Sequence, residues 1–337
     1  MSHLKFNPSL ENAIKEALIL WRSEPDLYRL DNPSLMNGRV ITPGSNWRLE
    51  HMLAFHMIPI LDLDLQHVLP IEYLPSDMDK FKLLWKLDRD DIYDKNYEKL
   101  LHSDHPQDAG NQAQIIACIV QLMQLVERRK EYDSDLSSTS DEGEKLEISS
   151  TAFASSLCKM FLEVLGLHNR YPPSWDYTDK ASYNIQILLG VTGNVRADGV
   201  IVFAESRHNK QAAVWIEVKP LMYAPRNKSN YETTLPQKAA EALAIVQSRG
   251  RQHEKDQEVF GIEFSHRFAT FWHAMFPAAY LSSIQTHKSL SPEQYVVLKR
   301  SKTLDLVEVS DRFQFAQNMV GMMKYLSSGN AKIGNWR

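Results

Sequence analysis

Two short runs, Ala197–Phe203 and Ala212–Lys219, constrain the fold of this chain more than any other feature. Both are rich in Val, Ile, Phe and Trp, and the polar segment SRHNKQ begins between them. Apolar runs of strand length around a short polar turn read as a β-hairpin. Side chains two apart on a strand share a face, so Trp215, Glu217 and Lys219 point one way and Ile216 and Val218 the other. A carboxylate and an ammonium on an apolar strand are costly to bury unless they are paired or engaged by a ligand. Asp198 opens the preceding strand, and a suitable hairpin register brings it beside Glu217. Two converging carboxylates repel each other, and a divalent cation relieves that repulsion. Oxygen-rich sites of this kind suit Mg²⁺ or Mn²⁺, with Lys219 beside a metal-bound water or a scissile phosphate. The plainer reading of the same residues is a surface hairpin with an ordinary Glu–Lys ion pair and Asp198 as a turn residue.

Asp198, followed after eighteen residues by Glu217-Val218-Lys219, resembles the signature of the PD-(D/E)XK nuclease superfamily, the restriction-endonuclease-like fold. Ala197 stands where the namesake pattern has proline. The resemblance implies that Asp198, Glu217 and the Val218 backbone carbonyl bind Mg²⁺ or Mn²⁺ and that Lys219 orients the attacking water or stabilises developing charge. Asp198, Glu217 and Lys219 would be the catalytic set. Many members add a glutamate from the helix before the sheet, for which Glu147 and Glu163 are the candidates. Gln237, at the start of the next helix, resembles a glutamine that some members place by the site. The tyrosine expected four residues later is replaced by Glu241.

Length and composition fit this reading without demanding it. A chain of 337 residues that is 43% hydrophobic and 24% charged has ample material for a core, as one large or two moderate domains. The formal net charge of −4 gives no global basic signature, so a nucleic-acid surface must be local. Lys238, Arg249, Arg251 and Lys255 form the best local basic cluster, placed for phosphate contact or else as a solvated helix end. Cys118 and Cys158 have no metal-binding spacing and read as buried free thiols. The N-terminus lacks a secretory pattern, and no apolar run spans a bilayer. An intracellular protein, nuclear or cytoplasmic, is expected, with no membrane partner.

Along the chain, helices are expected over residues 9–22, 46–57 and 112–129, giving a mainly helical N-terminal region over residues 1–127. Residues 128–147 turn Ser-rich and acidic and read as a flexible linker, with Ser138 and Ser140 in an acidic setting that suits phosphorylation. A nuclease-like domain over residues 148–337 follows: a helix at 148–167, a strand at 184–189, the hairpin, a helix at 235–249 and strands at 258–264 and 268–272. A second hairpin (295–299 with 305–309), a closing helix (312–326) and a frayed tail complete the expectation. Helix, three strands, helix, strand is the αβββαβ core order of the superfamily, a central mixed sheet flanked by helices. The expected function is a metal-dependent nuclease acting on DNA rather than RNA. The alternative is a non-cleaving member of the fold that binds nucleic acid or a protein.

Overall fold

The computed structural model describes residues 10–24, 29–30, 36–37, 40–41, 46–95, 109–134, 140–168, 173–187, 191–205, 210–219, 228–249, 255–286 and 289–334. The N-terminal part holds α1 (Leu10–Ser23), the two-residue strands β1 (Met36–Asn37) and β2 (Val40–Ile41), α2 (Leu49–Ala54), β3 (Met57–Leu63) and α3 (Arg89–Tyr93). Next come the long helices α4 (Ala109–Ser134) and α5 (Ser140–Val164), then β4 (Ser174–Ile187), β5 (Val191–Ala204), β6 (Lys210–Lys219) and α6 (Lys228–Ser248). The chain closes with β7 (Gln257–Ser265), β8 (Phe268–Phe276), α7 (Ala278–Thr286), β9 (Val296–Ser301), β10 (Leu304–Asp305) and α8 (Val309–Ser327).

Eight strands form one mixed sheet in the order β3-β9-β8-β7-β6-β5-β4, with β10 paired to β8. β4, β5 and β6 form an antiparallel meander, whereas β6 and β7 run parallel because α6 crosses over between them. Alternation along β6 divides the core in two. Ile216 and Val218 join Phe153, Leu157 and Phe161 of α5 and Phe315 and Met319 of α8 on one face. Trp215 joins Leu235, Ala239, Leu243 and Val246 of α6 on the other, with Met52 and Phe55 packed behind them. Four alanines of α6 (239, 240, 242 and 244) are fully buried, and their small side chains let the helix lie close to the sheet. Gly261 serves the same layer. It pairs with Trp215, and a Cβ there would lie 2.1 Å from the indole ring.

Several sequence expectations change. The first third is not only helical, since β3 joins the central sheet by parallel pairing with β9. Residues 128–134 and 140–147 of the expected linker continue α4 and α5 as helical backbone, because Glu, Arg and Lys have good intrinsic helix propensity. Ser138 lies outside the described residues. β4 begins ten residues earlier than the expected strand, at Ser174. The last hairpin is absent, for β9 and β10 both pair with β8. The tail is anchored, with Ile333 buried, the Lys332 amide donating to Glu258 Oε2 at 3.0 Å and the Gly334 amide donating to Gln257 Oε1 at 2.8 Å. Cys118 and Cys158 are buried free thiols, as expected. No helix among the described residues is long and apolar enough to cross a membrane.

Candidate active site

A change of alternation in the β4–β5 ribbon positions Asp198. Val195 and Ala197 pack into the α6-facing core, and so do Val200 and Val202, so the side-chain parity of β5 switches between 197 and 200. The β4–β5 ladder skips the pair Lys180–Asp198, and Lys180 adopts φ +52°, a bulge-like irregularity in an otherwise regular ribbon. Bulges of this kind re-aim a side chain or end a pairing. The β5–β6 ladder also stops at Gly199↔Ile216, so the Val218 amide has no strand partner on that side. Asp198 Oδ2 takes its place, accepting from the Val218 N–H at 2.8 Å. The N–H and C=O of one strand residue leave on the same side, so the Val218 carbonyl faces the same edge as Asp198.

Glu217 sits one residue before that contact, 2% exposed, and its Oε1 is the hub of the site. Lys219 forms an ion pair with Glu217 Oε1 and donates to Gln237 Oε1 at 2.9 Å. The Gln237 amide Nε2 donates to Glu217 Oε1 and to Glu241 Oε1, both at 2.8 Å. Gln237 and Glu241 are four residues apart on α6 and therefore share the helix face turned to the sheet. Lys238, wholly buried, places its Nζ 3.7 Å from Glu217 Oε1 and 4.0 Å from Glu263 Oε1. Glu263 lies on β7, paired directly with Glu217 across the parallel ladder.

Four carboxyl groups thus meet two ammonium groups, and their ionisation follows from that imbalance. Burial pushes Asp198 up to about 6, repulsion from Glu217 adds to the effect, and the hydrogen bond from Val218 restrains it. Burial would also raise Glu217, but Lys238 and Lys219 outweigh it and hold Glu217 below the ordinary glutamate range. Glu241 lies well above that range, through its own burial and then through the charge of Glu217. Glu241 is therefore the carboxyl of the pair that holds its proton more readily. Burial opposes the charge on Lys219, yet Glu217 and Glu241 overcome it and raise the ammonium above its usual range. At neutral pH Lys219 is therefore a proton donor in hydrogen bonds and not a base.

The structure gathers Asp198, Glu217, Lys219 and Gln237 as the sequence pattern anticipates. Glu163 stands exposed on α5 and enters none of the site's hydrogen bonds or ion pairs. Glu147 belongs to the α5 backbone, and its side chain lies outside the described residues. The basic cluster does not assemble at the surface. Lys238 points into the site, and Arg249 is buried, donating through Nε to the Ala212 carbonyl at 2.8 Å and through Nη1 to the Glu258 carbonyl. Both turn inward because α6 is covered by the sheet on one side and by α2 on the other. Lys255 is exposed, and Arg251 lies outside the described residues.

Sequence reasoning missed Glu241, Lys238 and Glu263 as members of the site. The signals were present: Ile-Glu within an apolar run occurs at both 216–217 and 262–263, and Gln237, Lys238 and Glu241 interrupt an otherwise apolar helical stretch over 239–246 and its start. Among the described residues, no three His, Cys, Asp or Glu side chains converge to encage a metal ion by themselves. Glu217 Oε2 is buried without a hydrogen-bond partner, as is Glu241 Oε2. No protein-family model matches the chain, and no curated protein matches it significantly.

Proposed function

We propose that this chain is a divalent-metal-dependent nuclease of the PD-(D/E)XK type, hydrolysing phosphodiester bonds in DNA in preference to RNA. The observation that carries the reading is the meeting of Asp198, Glu217 and Lys219 at one strand end, with the Asp198 carboxylate on the Val218 amide. The element order α5, β4 to β6, α6, β7 supports it, since that is the helix, three-strand, helix, strand order of the superfamily's core. The donors fit a hard cation that retains much of its water: two carboxylates and a main-chain carbonyl, with the buried Glu217 Oε2 lacking any other partner. Asp198, Glu217 and the Val218 carbonyl would hold Mg²⁺ or Mn²⁺, which supplies a water of lowered pKa and neutralises charge on the phosphate.

The protein's own groups carry defined tasks around that centre. Asp198 and the Val218 amide pin the middle of β5 to the C-terminal end of β6, so the two acids keep their spacing. Gln237 fixes Glu217 and Lys219 at once, using both its oxygen and its nitrogen. Lys219 keeps its proton and offers an N–H to the phosphate oxygen on which negative charge develops. The test is cleavage of end-labelled DNA and RNA with Mg²⁺ or Mn²⁺ by the wild type, Asp198→Ala and Lys219→Ala. Wild-type cleavage should vanish with a chelator and fall about 100-fold or more in each variant, the size of effect seen when a charge-stabilising group is removed. Equal cleavage by all three would overturn the proposal.

A second reading is a non-cleaving member of the fold that binds nucleic acid or protein. It draws on the exposed position of Glu163, which leaves the helix before the sheet without a described acid in the site. DNA binding without metal-dependent cleavage in the same assay would favour it.

A further inference from the structure

The least expected member of the site is Lys238. Its Nζ is wholly buried and has no hydrogen-bond partner, although carboxylate oxygens stand 3.7 and 4.0 Å away on Glu217 and Glu263. An ammonium in ordinary hydrogen bonds approaches its acceptors to about 2.7–2.9 Å. This one lies between the carboxylates of Glu217 on β6 and Glu263 on β7, and is held by charge. Glu217, and the carboxyl of Glu241 on the same helix as Lys238, each keep an oxygen that is also buried and unpartnered.

In phosphodiesterases that use two metal ions, the ions lie about 3.5–4 Å apart and share a bridging carboxylate. Here Glu217 would be the bridge. Asp198 and the Val218 carbonyl lie on its β5 side, and the space on its β7 side, between Glu217 and Glu263, is taken by the Lys238 ammonium. We infer that the site is a one-metal centre in which Lys238 holds the place of a second divalent cation. This rests on the metal-dependent reading above and specifies its stoichiometry. Lys238 is then a positioning residue that keeps Glu217 anionic and ties β6 to β7 through Glu263, and it touches neither substrate nor the reacting atoms.

Removing Lys238 should open the second position. Lys238→Ala leaves room between Glu217 and Glu263 for a hydrated cation, and it leaves Lys219 as the one remaining cation among the acids described at the site. Mn²⁺ bound per chain, measured by equilibrium dialysis and by electron paramagnetic resonance, should be one for the wild type, none for Asp198→Ala and two for Lys238→Ala. The melting temperature of Lys238→Ala should also become strongly Mn²⁺-dependent. Glu263→Gln, which removes a carboxylate assigned to Lys238, should still bind one ion with affinity within about threefold of the wild type, and it tests the inference even if Lys238→Ala does not fold. Two ions on the wild type, one on folded Lys238→Ala, or loss of the ion in Glu263→Gln would each overturn the inference while leaving the metal-dependent reading in place. No Mn²⁺ on the wild type would overturn the reading and the inference together.

Discussion

Gln237 offers the sharpest test of how the site is held together, because one side chain makes three hydrogen bonds to charged or coupled groups. Gln237→Met keeps the length of the side chain and removes every donor and acceptor. Hydrogen bonds to charged groups contribute roughly 1.5–3 kcal/mol each, and a buried partner left unsatisfied bears its full desolvation penalty of about 1–3 kcal/mol. Glu217 retains Lys219 and Lys238, so its loss belongs at the lower end. Lys219 retains Glu217 and is partly open to solvent. Glu241 is 1% exposed and, carrying a proton, loses a neutral donor, again toward the lower end. The sum is about 4 kcal/mol, which at roughly 2 °C per kcal/mol for a chain of this size lowers the melting temperature by about 8 °C. Removing both partners of a buried hydrogen bond is far less costly than removing one. The double variant Gln237→Met/Glu241→Leu should therefore be destabilised by about 1–3 kcal/mol less than the sum of its single variants, a coupling of the size neighbouring residues show. Thermal and urea melts of the four proteins measure this cycle. A drop below about 2 °C for Gln237→Met, or strict additivity in the double variant, would refute the network as described.

Two further outcomes follow from other buried basic side chains. Arg249→Met strips donors from the Ala212 and Glu258 carbonyls but releases a guanidinium that burial has pushed down to about 9, so a modest net loss of about 1–3 kcal/mol is expected. Because Arg249 is sealed in the core, the salt dependence of DNA binding should be the same in this variant as in the wild type, whereas loss of one phosphate contact would flatten the log–log slope by about one. His56, stacked on Trp21 and 3% exposed, is pushed by burial down to about 4. The unfolded chain takes up this proton near 6.5 and the folded one only near 4, so the stability is present above pH 6.5 and declines as the pH falls between these values. About 3 kcal/mol is at stake. Urea melts at pH 7 and pH 4 should show His56→Asn losing about that much less than the wild type over the interval, while keeping a residue that tolerates the φ of +48° found there.

What could be read from the sequence was what local pattern encodes. The runs 197–203 and 212–219 sit on strands because their side chains are buried on both faces of a central sheet, which makes them densely apolar. That Glu217 and Lys219 share a face followed from the period-two rule. The early part of β4 was missed because SWDYTDK carries charge on an exposed side. The parity switch at Asp198 was hidden because Lys180, and not a glycine, adopts the positive φ across from it. Lys238 and Arg249 read as phosphate contacts or a solvated helix end because charges on helices usually face outward. The contrary signal was the apolar density of AAEALAIV over residues 239–246, the mark of a helical stretch with no solvated face. Pairing of β3 with β9 joins residues more than 230 apart, and no local pattern reports that.

The energetics of the layer between α6 and the sheet bear on why these residues are there at all. Around Glu217, Lys238 and Glu241 lie Trp215, Ala239, Ala240 and Leu243, all without solvent exposure. Apolar side chains would fill that space without desolvating any charge, and replacing a buried ionic cluster by well-packed hydrophobic residues is often neutral or stabilising by about 1–4 kcal/mol. A stability argument alone would therefore favour Leu or Met at 217, 238 and 241. The cluster is also lopsided, with more acids than bases, and its surplus lies toward Asp198, the one of its four acids that is not fully buried. A purely structural ion pair would be balanced and closed. Charge that is buried, unbalanced and partly open on one side is unlike a closed structural ion pair, and Gln237 ties its two inner acids together by donating to both Glu217 and Glu241.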